Sequence, residues 1–372
     1  MANHPSKRLF LDYVVLANGL AILLVVIGHV LMKVGDSPAY SDVGPWNGWA
    51  VSVIYSFHMP LFFLLSGLLA ALPGAKLHGA NPPFGTMLRD RARRILLPYL
   101  TLSLVHVPAR VVFYEHLPLS AVPRALPTIL YAPTGHLWFV YVLFLLFLLV
   151  PLLEEAVGRR PWLMVLLLAA GYLGVRLGTS FHPAGEMTMG FTRRLLSFCE
   201  IGRVIDNAIY FYVGLLLGRA HVNGPEGWNG LRRGFLPFLA AFLLLTNLRA
   251  AAAGKVVALP LADEWEWLLT PLTALSGSLA CLQACRLVAG CSASLLTRGL
   301  RILGDYSYDI YLFHFILVNL LAYAVLPRGW PLAAVVPASL LVVTCLPLAW
   351  ARFVLDRNRP LAFICRGASL HR

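Results

Sequence analysis

The chain has 372 residues, of which 59% are hydrophobic and only 13% charged, with a formal net charge of +13. A soluble domain carries about 25% charged residues, so this composition cannot cover a water-facing surface and excludes a soluble globular protein. The positive balance reads as Lys and Arg gathered in loops beside membrane spans. No basic motif interleaved with aromatics marks a nucleic-acid partner.

Ten apolar runs are predicted to span a bilayer: Leu11–Met32, Trp49–Leu72, Ile95–Phe113, His136–Leu153, Pro161–Leu177, Val204–Leu217, Gly234–Leu248, Trp265–Leu287, Tyr306–Leu326 and Leu332–Phe353. A helix needs ~20 residues to cross the hydrocarbon core, and tilt or local thinning accommodates the short sixth and seventh runs. Lone strands would leave amides unpaired in lipid, and the runs are too continuous for the alternation of a membrane barrel. The predicted fold is all-α: a polytopic transmembrane helical bundle, one membrane-embedded domain over residues 1–372 with no separate soluble domain. The first run is too long for a signal-peptide core and lacks a small-residue cleavage site, so it is read as a span.

With the N-terminus in the cytoplasm, 20 of the 30 Lys and Arg residues fall on the cytoplasmic side. That twofold bias predicts an even number of spans with both termini inside. The densest cluster, Arg89, Arg91, Arg93 and Arg94, lies on that side, and the predicted outer loop from Gly178 to Arg203 carries Glu186, Arg193, Arg194 and Glu200. The six cysteines, Cys199, Cys281, Cys285, Cys291, Cys345 and Cys365, have no nearby His or acidic residue to complete a metal set, and they read as small packing residues.

Five histidines fall in or at the ends of apolar runs: His29, His58, His106, His136 and His314. Ionisable groups there are costly and are functional candidates by default; His106 is read as packing and His29 as functional. Asn18 and His29 are eleven residues apart, almost three whole helical turns, so both face one side, ~16 Å apart along the axis. Gly28 permits close approach beside His29, and Pro60 interrupts the ladder near His58 and frees a carbonyl. Arg91 and Arg94, three apart, are expected to share a helix face at the cytoplasmic mouth of the third span. A guanidinium pair there suits phosphates; as bare charge it also reads as a positive-inside anchor.

Five segments together resemble acyltransferase family 3 of membrane acyltransferases, and within it the fucose 4-O-acetylase type. They are Leu11-Asp12 through Gly28-His29, Phe57-His58-Met59-Pro60-Leu61-Phe62-Phe63 with Ser66-Gly67, Arg91-Ala92-Arg93-Arg94 before Pro98, His136-Leu137-Trp138-Phe139, and Gly304-Asp305-Tyr306 through Phe313-His314. Each is weak alone; five in the family's order, over most of the chain, are specific. The resemblance implies a ten-span bundle in a bacterial-type cytoplasmic (inner) membrane. It implies acyl-CoA, normally acetyl-CoA, as a co-substrate rather than a bound cofactor, and a sugar hydroxyl of a glycan, lipid-linked sugar or glycoside as acceptor. The family's essential histidine falls on His29 and its paired arginines on Arg91 and Arg94. Where members carry Arg or Lys eleven residues before the histidine, this chain has Asn18; either another basic residue supplies that charge or Asn18 hydrogen-bonds the donor's amides.

A sugar hydroxyl needs a base to remove its proton in the transition state, and His29 suits that role. Direct attack with His29 as general base and an acetyl-imidazole on His29 are both open. His58, Ser66 and Trp138 are candidates for holding the oxyanion, and His136 and His314 are further substrate-contact candidates. With the arginines at the cytoplasmic mouth and His29 near the other end of its helix, the donor's pantetheine arm would bridge much of the bilayer. The competing class is a transporter or flippase for a glycolipid, against which stand the ordered motifs and the absence of an internal repeat.

Overall fold

The structure, a computed structural model, describes residues 5–72, 84–180, 195–223, 234–252, 262–289 and 294–368. Among the described residues there is no β-strand, and the all-α expectation holds. The helices are α1 (Pro5–Gly35), α2 (Pro45–Ala70), α3 (Phe84–Arg91), α4 (Leu97–Ala109), α5 (Val122–Ala125), α6 (Trp138–Ala156), α7 (Pro161–Ser180), α8 (Ile201–Asn223), α9 (Phe235–Ala252), α10 (Ala262–Ala289), α11 (Leu295–Asp305), α12 (Ser307–Ala324), α13 (Leu332–Phe353) and α14 (Arg359–Arg366). Among the described residues, eight helical stretches are long and apolar enough to cross a membrane, and two shorter apolar helices, Pro161–Leu177 and Phe235–Arg249, fall on the fifth and seventh expected spans. Exposed Trp46, Trp49, Trp162 and Trp330 lie near helix starts, as in the aromatic belts where apolar rings meet headgroups. Glu186, Arg193, Arg194 and Cys291 lie outside the described residues.

The chain divides into two compact units. The first comprises Met1–Leu68 and Leu217–Val354. At its centre α1 meets α11 backbone to backbone: a Cβ added at Gly19 would overlap the Leu300 carbonyl, and one at Gly304 the Val15 carbonyl. Beside this crossing Arg301 donates twice to the Asp12 carboxylate, at 2.8 and 2.7 Å, the bidentate arrangement that fixes both distance and angle. That hydrogen bonding raises the Arg301 guanidinium above its ordinary value; burial, then the adjacent Asp12 carboxylate, raise Asp305. Helix α2 runs unbroken through Pro60. The Ser278 hydroxyl of α10 sits between the Ala274 and Phe57 carbonyls, 2.7 and 3.4 Å away, and Gly277 lets α10 approach the Phe57 and Phe242 side chains.

The second unit comprises Leu69–Leu216 and Leu355–Arg372. Two π-helical turns, Ala92–Leu96 and Arg110–Tyr114, flank α4. The first has a direct cause in sequence: Pro98 has no N–H for the Arg94 carbonyl and crowds it, and the Leu97 amide instead reaches back five residues to the Ala92 carbonyl. From Leu119 to Leu137 the chain makes only short helical turns. This stretch folds back along α4, because the Tyr99 hydroxyl donates to the Ile129 carbonyl while His136 meets His106. Those two points on α4 are seven residues, ~10 Å, apart. The next two carbonyls are also taken, Leu130 by the Tyr141 hydroxyl at 2.8 Å and Tyr131 by the Cys199 amide at 3.0 Å. Irregular backbone beside a spanning helix needs such satisfaction from protein, since lipid offers no partner.

Candidate active site

In the first unit, three of the predicted histidines come together. The His29 ring lies 5.1 Å from His314, 5.6 Å from Phe315 and 6.0 Å from Tyr55, and Tyr55 lies 4.8 Å from His58. His58 and His314 are buried and His29 half-buried. Each imidazole anchors Nδ1 on its own helix: His29 on the Val25 carbonyl at 2.8 Å, His58 on Ile54 at 2.8 Å, and His314 on Tyr311 at 2.7 Å and Ile310 at 3.1 Å. A carbonyl oxygen only accepts, so Nδ1 carries the hydrogen in each, and in the neutral ring Nε2 is the basic nitrogen. For His29 this aims the basic atom away from α1.

Tyr55 is the member of this group that reading the sequence missed. It packs on the flat face of α1 left by Gly28, where an added Cβ would approach the Tyr55 ring to 2.9 Å. Its spacing three residues before His58, on one helix face, is the signal that could have revealed it. Asn18 is half-buried, and its amide donates to the Val14 carbonyl of its own helix at 3.2 Å. Ser66 lies eight residues past His58 on α2, ~12 Å further along the axis, which places it outside the histidine cluster.

The second unit holds the arginine pair. The expected common face is altered by the π turn, which is wider than an α turn and rotates Arg94 relative to Arg91. Arg91 is half-buried with its guanidinium 4.2 Å over the Phe147 ring, whereas Arg94 is exposed. Arg93 reaches Asp90 at 3.5 Å. The backbone of this segment is held from behind by the C-terminal helix α14. Gly367, at φ +60°, lies so close that a Cβ would overlap the Arg93 carbonyl, while Arg366 pairs with Asp356 at 2.6 Å. His106, read as packing, is buried edge-on against His136, their rings 5.1 Å apart. Trp138 opens α6 with the Arg203 guanidinium 4.7 Å over its ring.

Residues 11–352 match the acyltransferase domain of this family. The chain belongs to acyltransferase family 3. It is similar to the nodulation protein NolL of Sinorhizobium fredii, 33% identical over 172 residues, which are 44% of this chain and 41% of that protein. It is also similar to the NolL of Mesorhizobium japonicum, 31% identical over 165 residues, 44% of this chain and 40% of that protein. The matched stretch thus spans about two fifths of the length of these relatives. Of the family's motif positions, His29, His58 and His314 gather in the first unit, and Arg91, Arg94, His136 and Trp138 lie in the second.

Proposed function

We propose that this protein is a membrane O-acyltransferase that moves an acyl group, normally acetyl, from acyl-CoA to a sugar hydroxyl of a glycan, lipid-linked sugar or glycoside. The observation that carries this reading, together with family membership, is His29: Nδ1 is tied to the Val25 carbonyl at 2.8 Å, leaving Nε2 as the base. The sugar oxygen attacks the thioester carbonyl carbon while Nε2 takes its proton. The C–S bond breaks, and the proton passes to the departing CoA thiolate. Arg91 and Arg94 bind the donor's phosphates, and acyl-CoA comes and goes as a substrate. The protein works in a bacterial-type cytoplasmic membrane with both termini in the cytoplasm.

The test is release of free CoA thiol by purified protein given acetyl-CoA, with and without a methyl glycoside. Changing Arg91 and Arg94 together to Lys keeps the charge but loses the planar fork and, at position 91, the stack on Phe147. Donor KM should rise about tenfold, the effect of losing roughly one charge-assisted hydrogen bond, with helix content unchanged. Unaltered donor KM would return both residues to the role of membrane anchors.

The clasp behind this segment gives a second expectation. Alanine at 367 costs about 1–2 kcal/mol for left-handed backbone and forces the Arg93–Arg94 backbone to move. Gly367→Ala should therefore raise donor KM several-fold (roughly 1 kcal/mol) and leave acceptor KM alone. Equal shifts in both constants would show that the clasp serves general stability instead.

A further inference from the structure

We infer that Trp138, Arg176, Glu200, Arg203 and Asp206, all within the second unit, form a subsite for a neutral sugar ring of the acceptor; this rests on the acyltransferase reading above. Arg203 Nη1 is 2.9 Å from Glu200 Oε2, and Arg176 Nη2 is 2.6 Å from Asp206 Oδ2. Arg203 and Asp206 are three residues apart on α8 and so share its face. The Arg203 guanidinium covers the Trp138 ring, and that of Arg176 lies 5.1 Å from the Tyr172 ring.

Glu200, Arg203 and Asp206 lie toward the start of an apolar helical stretch of spanning length, and Arg176 near the end of a shorter apolar helix, so four charged groups from two elements are brought together at one place. A fully buried ion pair is often no better for stability than apolar side chains of similar volume, because desolvation offsets the attraction. Here the Arg203 side chain is 48% exposed, Arg176 32%, Asp206 29% and Glu200 15%, so the cluster is only partly covered by protein. The backbone leading into it is strained: Cys199 and Glu200 take φ of 52° and 56°, two successive non-glycine residues in the left-handed region, at a cost of about 1–3 kcal/mol each. The Cys199 amide is held by the Tyr131 carbonyl at 3.0 Å, with Phe198 stacked on Tyr131. That turn delivers the Glu200 carboxylate to Arg203 rather than into the apolar packing.

The chemistry selects the ligand. Two carboxylates accept from sugar hydroxyls, two guanidiniums donate to them, and the indole offers a flat face to ring C–H groups. With two acids against two bases the cluster carries no net charge, which suits a neutral polyol. An anion such as the donor's phosphates would require a surplus of cations.

The experiment uses the purified full chain with acetyl-CoA and methyl α-L-fucopyranoside or methyl α-D-glucopyranoside as acceptor probes, reading KM for each substrate separately. Glu200→Gln and Asp206→Asn should each raise acceptor KM about tenfold, as for one lost charge-assisted hydrogen bond, while donor KM holds. Arg203→Lys, which keeps the charge and loses the planar stack, supplies the same readout should Glu200→Gln fail to assemble. Acceptor KM within twofold of the parent in all variants, or both KM values moving together, overturns the subsite and leaves the acyltransferase reading standing. Parent protein that releases no thiol with either glycoside overturns that reading, and the subsite with it.

Discussion

Replacing His29 with Gln should lower acyl transfer roughly 10²–10⁴-fold, the range for loss of a positioned proton-transfer group. Glutamine keeps size and polarity but has no basic nitrogen, so the oxygen nucleophile would have to attack with its proton in place. The loss belongs in turnover, with donor KM little changed, because the base acts on the acceptor hydroxyl. His106→Gln is the control: that ring is buried against His136 in the other unit, and the variant should keep substantial activity. Rates are compared in membranes at matched protein levels. A well-expressed His29→Gln protein working at the parent rate would remove the centre of the mechanism. Acyl-histidine trapped at position 29 by rapid quenching and mass spectrometry would instead convert the base into a nucleophile.

The second large effect concerns assembly of the first unit. Gly304→Ala places a methyl against the Val15 carbonyl, and Gly19→Ala places one against Leu300. Both obstacles are backbone, so no side-chain rotation relieves them, and the helices must separate. Overpacking of this kind costs about 1–3 kcal/mol, occasionally more, and separation also loosens the Asp12–Arg301 fork. Gly299, on the same helix, meets nothing within 4 Å. Gly299→Ala should be neutral or gain up to about 1 kcal/mol through helix propensity. Thermal unfolding in detergent therefore should fall by several degrees for Gly304→Ala and hold or rise for Gly299→Ala. Identical melting of the two variants would refute the backbone-to-backbone crossing.

The spans were legible because length and apolarity alone oblige a helix in lipid, and each expected run lies on a described helix. His29 was legible for the same reason: an imidazole in an apolar run is costly enough to signal itself. His58 and His314 could be picked out singly, but not their meeting with His29, which depends on how α1, α2 and α12 pack. Three features were hidden. The turn at Ala92–Leu96 keeps ordinary helical composition, and only the missing N–H of Pro98 betrays its altered register. The stretch before His136 carries Pro118, Pro123, Pro127 and Pro133, which reads as a plain connection, whereas three of its carbonyls are taken by the Tyr99 and Tyr141 hydroxyls and the Cys199 backbone amide. Arg176, Glu200, Arg203 and Asp206 sit at or near the ends of apolar runs, where charges are commonplace, so only their pairing in space sets them apart.

The three consecutive carbonyls at Ile129, Leu130 and Tyr131 have a consequence for how the chain is made. Their donors, Tyr99, Tyr141 and Cys199, leave the ribosome in that order, so the last carbonyl has no native partner until nearly seventy further residues have emerged. Until then that carbonyl needs water or the insertion machinery as its partner while α6 and α7 are threaded. Integration of this region is therefore a late docking event, completed only when the turn leading into α8 arrives to close it.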